Sequence, residues 1–270
     1  MSFVPATSVV TAKGATPTRV AYVLHGILGS GRNWRTLCRR LAEQTPDTAY
    51  VLVDLRNHGD SQGAPPPHTV TSAADDLLAL HAEHGPPNVV IGHSFGGKVA
   101  LRYAQRHPSG MDAAWVLDSR SDAAEPEPDN EVALVLRALR SVPLPLASRE
   151  DLVTHLTGQG FSQSLARWLT TNLDRTPDGD GFAWVFDLDA IDAMIADYWQ
   201  LDLWPVLRDP PLPVHVVRAG RSDRWPDEVI RRYAEEAAPG VHLHVLPEAG
   251  HWVHVDDPQG LIALLAGTAG

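Results

Sequence analysis

The stretch Asn88 to Leu101, N-V-V-I-G-H-S-F-G-G-K-V-A-L, leaves few folds open to this chain. Val89, Val90 and Ile91 are a short β-branched run of the kind that forms a buried strand. From Val99 onward, Ala100, Tyr103 and Ala104 fall at helical spacing until His107-Pro108 stops them. Between the two lies Gly92-His93-Ser94-Phe95-Gly96, a G-x-S-x-G pattern. The pattern alone is weak, because small residues recur in loops. Its position on a sharp strand-to-helix turn is what makes Ser94 a candidate nucleophile rather than an ordinary turn serine.

Reading outward from this stretch, strands and helices alternate. Val20–Leu24, Tyr50–Asp54, the Val89 run and Ala114–Asp118 read as strands. Helical patterns separate them at Asn33–Ala42 (Trp34, Leu37, Cys38 and Leu41 on one face), after Ser72-Ala73-Ala74-Asp75 (a capping box), and after Ser94. This order predicts an α/β fold, a mostly parallel sheet with helices on both faces. The loops that begin at His25, Asp54, Ser94 and Asp118 then share the edge formed by the strand C-termini. Past Asp118 the chain turns acidic and proline-rich (Ala123 to Asp129) and then helical, with Phe182–Phe186 ambiguous. Residues 119–207 are therefore expected to be a helical cap inserted into a core formed by 1–118 and 208–270. The strand pattern resumes at Val214–Val217 and Val241–Leu246.

Composition excludes several classes. The net charge is −11 and no basic run occurs, which argues against nucleic acid or an anionic membrane as partner. A single cysteine, Cys38, cannot form an intrachain disulfide and fits a reducing compartment. Neither a signal peptide nor a membrane-spanning run is evident, so a soluble cytoplasmic protein, monomer or homodimer, is expected. His242-x-His244 lacks a cysteine or carboxylate at ligand spacing, so no metal is expected.

A serine hydroxyl needs a base within hydrogen-bond reach, and the base needs an orienting carboxylate. His251, in the loop after the last strand, is the candidate base. Two carboxylates compete for the third role. Asp223, in Gly220-Arg221-Ser222-Asp223, is favoured on order and loop position; Asp118, ending the strand before the insertion, is the alternative. The tetrahedral intermediate needs two N–H donors, expected from Ile27 in the glycine-bearing loop His25–Gly29 and from Phe95. Trp34, Trp199 and Trp252 are candidate pocket residues, although core packing accounts for most tryptophans.

The motifs His25-Gly26-x-x-Gly29-Ser30, Asp54-x-Arg56-Asn57-His58-Gly59-x-Ser61, Gly92-His93-Ser94-x-Gly96-Gly97-Lys98 and Gly250-His251-Trp252-Val253-His254 resemble the α/β-hydrolase superfamily over nearly the whole chain. They are most similar to its branch of small acyl esterases, which includes bacterial carboxylesterases and a mitochondrial relative. That resemblance implies cleavage of small carboxylic esters or thioesters through an acyl-enzyme, without a cofactor, and it leaves both Asp118 and Asp223 open as the acid. Asp118-Ser119-Arg120 departs from the branch's Asp-x-x-Pro. Two alternatives remain. One is a C–C hydrolase or lyase of the menaquinone-synthase type on the same triad, which arginines facing Ser94 (Arg137, Arg140 and Arg167 are the candidates) would favour. The other is a non-catalytic receptor on the same fold.

Overall fold

A computed structural model of the chain describes residues 3–125 and 130–267; most of the expected acidic, proline-rich hinge, residues 126–129, lies outside them. The first half runs β1 (Thr7–Val10), β2 (Arg19–Leu24), α1 (Arg35–Gln44), β3 (Thr48–Val53), α2 (Val70–Asp76), α3 (His81–His84), β4 (Val89–His93), α4 (Phe95–Arg106) and β5 (Ala113–Leu117). Next come α5 (Glu131–Arg140), α6 (Arg149–Gly158), α7 (Gln163–Leu169), a small antiparallel pair β6 (Leu173–Arg175) and β7 (Phe182–Trp184), α8 (Leu188–Gln200) and α9 (Trp204–Arg208). The chain closes with β8 (Val214–Ala219), α10 (Asp227–Glu236), β9 (Val241–Leu246), α11 (Val253–Asp256) and α12 (Pro258–Gly267).

Seven strands form one sheet in the order β1-β3-β2-β4-β5-β8-β9. Every neighbouring pair is parallel except β1 with β3. Alternation along the strands sorts side chains onto two faces. Tyr22, Leu24, Val51, Val53 and Val90 pack against Ala73 of α2, Leu77 just after it, and Val99 and Tyr103 of α4. Ala21, Val23, Leu52, Ile91, Trp115 and Leu117 pack against Leu37, Cys38 and Leu41 of α1 and Leu261 and Ile262 of α12. Both faces are covered, which is why the central strands read as continuous apolar runs rather than as alternating ones. Each fully buried leucine contributes about 1.5–3 kcal/mol to this core.

Three differences from the sequence reading have local causes. The helix expected to open at a Ser72 capping box starts earlier, at Val70, because extended Thr69 accepts the Ser72 amide at 3.0 Å and serves as the cap. Phe182 to Trp184 is a strand, paired with a partner too short to carry a periodic signal. Within the expected insertion, Leu203, Trp204, Val206 and Leu207 pack with Val116, Val214 and Val216 of the sheet rather than with the preceding helices. Helix starts in the insertion do follow local chemistry: Asn130 caps α5, Ser148 with Asp151 forms a capping box on α6, and Ser162 caps α7.

The sheet order reverses between β2 and β4, since β3 lies on one side of β2 and β4 on the other. Such a switch point opens a crevice at the strand C-termini. Here the two neighbouring loops touch. A Cβ on Gly96 would lie 2.5 Å from the His25 carbonyl oxygen, and one on Gly92 would lie 1.9 Å from that of Gly96. Only glycine allows the turn after β4 to press against the loop after β2. Gly92→Ala is expected to destabilise the fold by about 3 kcal/mol or more, a fall in Tm of about 6 °C or more by differential scanning calorimetry. An unchanged Tm would show that the turn has slack.

Candidate active site

Ser94 joins β4 to α4 at φ 52° and ψ −118°, a region that residues bearing a Cβ rarely occupy. Strain of this kind costs about 1–3 kcal/mol and persists only where the surroundings impose it. The imposing contacts are the glycine packing above, the Ser94 amide donating to the Leu117 carbonyl at 2.9 Å, and the Ser94 carbonyl accepting from Gly97 N–H at 2.8 Å. The Ser94 side chain faces two adjoining cavities. One, of about 390 Å³, is lined also by Ile27, Tyr198, Trp199 and Arg224; the other, of about 50 Å³, also by His251, Trp168 and Trp252.

The loop after β9 thus brings His251 to the cavity that Ser94 lines, as its position in the chain suggested. His93 Nε2–H donates to the His251 carbonyl at 2.7 Å and fixes that loop against the turn. The expectation for the carboxylate needs correction. His251 Nδ1 lies 2.7 Å from Asp118 Oδ2, whereas Asp223 is exposed on the wall of the larger cavity. The reason lies in the loop after β8, which is held by Arg221 N–H on the Ala249 carbonyl at 2.9 Å. So held, it turns Asp223 outward and sends the next two side chains in. Trp225 Nε1–H donates to Asp118 Oδ1 at 2.6 Å, and Arg224 Nε lies 2.9 Å from His251 Nδ1.

Asp118 is fully buried at φ 42° and also accepts the Ala219 amide at 2.9 Å. Burial alone would raise its pKa, but the hydrogen bond from His251 and those from its other donors outweigh it and hold the carboxyl below its ordinary value. Burial lowers the His251 pKa; Asp118 opposes that shift and Arg224 adds to it.

The loop after β2 is built around neutral imidazoles. His25 Nε2 accepts the Leu55 amide at 3.0 Å, and its Nδ1–H donates to the Gly26 carbonyl at 2.7 Å. His58 Nε2 accepts the Leu28 amide at 3.0 Å, with its Nδ1–H on the Arg56 carbonyl at 2.9 Å. Burial drives the His25 pKa down to about 4 and that of His58 to about 3, so both remain acceptors at neutral pH. Leu28 adopts φ 60°, and Gly29 N–H turns back onto the Gly26 carbonyl at 3.0 Å. With the Leu28 and Gly29 amides engaged, Ile27 N–H has no protein acceptor among the described residues, and neither has Phe95 N–H, the first amide of α4. Both candidate donors are therefore available beside Ser94.

Sequence reasoning missed the support for this loop, although the motif containing it was visible. Arg56 forks onto Asp76 at 2.7 and 2.9 Å, and Asp54 accepts the Gly31 and Asp60 amides at 2.7 and 2.8 Å. Trp225 and Arg224 carried no sequence signal. Of the candidate pocket residues, Trp199 and Trp252 line cavities that Ser94 lines; Trp34 does not, being fully buried and stacked on His254 at 4.4 Å. The suggested cap arginines lie elsewhere. Arg140 pairs with Asp189 and Asp192, Arg167 pairs with Glu150, and Arg137 lines a separate cavity with Arg140. Among the described residues, no cluster of three or more His, Cys, Asp or Glu side chains could hold a metal, and no helix is long and apolar enough to cross a membrane.

Comparisons with known proteins agree with this fold. Residues 21–264 match the alpha/beta hydrolase family. The chain is similar to the sn-1-specific diacylglycerol lipase ABHD11 of Mus musculus, 27% identical over 242 residues that cover 87% of this chain and 76% of the relative. It is also similar to esterase YbfF of Escherichia coli K12, 23% identical over 246 residues covering 89% of each. Among solved structures, an esterase from a marine microorganism superposes with a TM-score of 0.83 at 24% identity, over 99% of this chain and all of that one. The chain belongs to the alpha/beta hydrolase family and is a carboxylesterase-like hydrolase.

Proposed function

We propose that the protein cleaves small carboxylic esters, and thioesters of similar size, through an acyl-enzyme on Ser94, with His251 as base and Asp118 as its orienting carboxylate. The contact between Asp118 Oδ2 and His251 Nδ1, on the loop that brings His251 to the Ser94 cavity, carries this reading. In the first half-reaction, Ser94 Oγ attacks the ester carbonyl and its proton passes to His251 Nε2. His251 then holds a proton on each nitrogen, and the anionic Asp118 stabilises that imidazolium. The oxyanion accepts hydrogen bonds from Ile27 and Phe95 N–H, each worth about 100- to 1000-fold in turnover. Collapse expels the alcohol or thiol, which takes the Nε2 proton. Water then repeats the sequence on the acyl-enzyme, releasing the acid and restoring the serine.

In this reading α5 to α8 form the cap over the sheet edge, and Lys98 secures it. The ammonium of this buried lysine donates to the carbonyls of Asp122, Tyr198 and Leu201 at 2.8, 2.5 and 2.8 Å, so the elbow helix grips both ends of the insertion. Burial lowers the Lys98 pKa to about 8. All three of its protons have acceptors.

Turnover of p-nitrophenyl esters from acetate to octanoate tests the proposal. Ser94→Ala is expected to lower kcat by at least about 1000-fold and Asp118→Asn by about 100-fold or more, whereas Asp223→Asn stays within about tenfold of the parent, as expected for a residue that touches neither nitrogen of the base. A large loss in Asp223→Asn with little in Asp118→Asn would overturn the assignment. The pH profile gives a second check. His251 must be neutral to act as base, and its net shift is downward, so kcat/KM should fall with decreasing pH through an apparent pKa below the ordinary histidine value of about 6.5. Asp118→Asn removes the anion that favours the imidazolium, so the acid limb should move to still lower pH. A limb above the ordinary value would contradict the buried environment.

A further inference from the structure

Arg224 differs from Arg56 and Arg120 in how its guanidinium is satisfied. Arg56 is fully engaged by Asp76 and by the Pro65 and Pro67 carbonyls, and Arg120 forks onto Asp122 at 3.0 and 2.7 Å. The Arg224 side chain is only 16% exposed and lines both cavities that Ser94 lines. Its single ion-pair partner among the described residues is Glu131 at 3.6 Å, longer than a hydrogen bond, and the Glu131 side chain is 54% exposed. The two terminal nitrogens of the guanidinium thus have no hydrogen-bond acceptor among the described residues. The other acids on the larger cavity, Glu125 and Asp223, are exposed, so the inner charge is positive.

The remaining Arg224 contact bears on the base. Nδ1 of His251 lies 2.7 Å from Asp118 Oδ2 and 2.9 Å from Arg224 Nε. A ring nitrogen of neutral histidine carries either a proton or a lone pair, and guanidinium only donates. When Arg224 donates to Nδ1, the imidazole proton sits on Nε2, the nitrogen that must be free to take the Ser94 proton. When Nδ1–H donates to Asp118, Arg224 Nε–H has to turn elsewhere. An anionic group in the larger cavity would offer the guanidinium a forked partner and release Nδ1 to Asp118.

Building on the hydrolase reading, we infer that Arg224 is a specificity-determining and positioning residue: the preferred substrate is an ester carrying a second, anionic group, a carboxylate, in the cavity of about 390 Å³. Binding that carboxylate and setting the tautomer of His251 are then one event.

The test compares mono-p-nitrophenyl glutarate, adipate and suberate with p-nitrophenyl valerate, hexanoate and octanoate. For at least one chain length the parent is expected to favour the anionic ester by about tenfold or more in kcat/KM. Arg224→Gln should lower that anionic-to-neutral ratio by about tenfold or more, through kcat as well as KM, and Arg224→Lys should restore part of it, since a point charge replaces the fork incompletely. A ratio unchanged in Arg224→Gln, or a parent that favours neutral esters at every length, would overturn the inference. Calorimetry on Ser94→Ala gives an answer that needs no turnover. Free adipate should bind that protein and should not bind Ser94→Ala/Arg224→Gln once thermal melts show both folded; equal binding to the two, or to neither, also overturns it. Turnover of neutral esters without any anionic preference sinks this inference alone. Absence of all turnover, with Ser94 unlabelled by a fluorophosphonate, sinks the hydrolase reading, and the adipate arm still decides whether the arginine holds a carboxylate.

Discussion

The structure turns on the close approach of two loops at the centre of the sheet. Between β2 and β4 the connections depart to opposite sides, so nothing from a third strand fills the gap above them. The chain uses that gap by pressing the turn after β4 against the end of β2 and the loop that follows it, with Gly96 at the contact and Gly92 folded tightly onto Gly96, both where a Cβ has no room. The pressure holds Ser94 at positive φ, its side chain raised above the helix that follows. Asp118, one strand over, is likewise at positive φ. Strain of this kind persists only where a rigid frame imposes it.

Buried imidazoles provide much of the frame. His25, His58 and His93 each join backbone groups of different segments. Desolvation keeps them neutral, and a neutral ring offers one donor and one acceptor. That complementarity suits a pair of loops that must exchange an N–H for a C=O across a short gap. A lysine or carboxylate in the same places would bring a charge that burial penalises. The same logic explains the buried lysine, Lys98: a residue with three donors occupies a spot where three carbonyl oxygens converge. The segments on either side of α5 to α8 are thereby fastened to α4.

Much of this was legible along the chain. Strand and helix positions in the core, the turn bearing Ser94 and the placement of His251 after the last strand all rest on short-range patterns, because apolar periodicity and glycine spacing report on the element that contains them. The R-N-H-G motif was visible, but its work was not. Arg56, His58 and Asp54 act on Asp76, Leu28 and Gly31, partners distant in sequence. Trp34 read as a pocket aromatic, yet its helix face points into the core between sheet and α12, where a large ring fills space beside His254.

What the sequence determined alone was the α/β alternation, the serine on its turn and the histidine that lines the same cavity, since each follows from a local pattern combined with the rule that parallel strands present their C-termini on one edge. The choice between two strand-end aspartates belonged to the tertiary structure. Asp118 and Asp223 both follow strands of the same sheet, β5 and β8, which pair in parallel with Leu117 opposite Val217. Which carboxylate turns inward depends on how the later loop is hung: Arg221 is tied to Ala249, Ala219 and Trp225 donate to Asp118, and Asp223 is left facing out. Side-chain direction in a loop is set by hydrogen bonds to groups far along the chain, and no one-dimensional pattern records those.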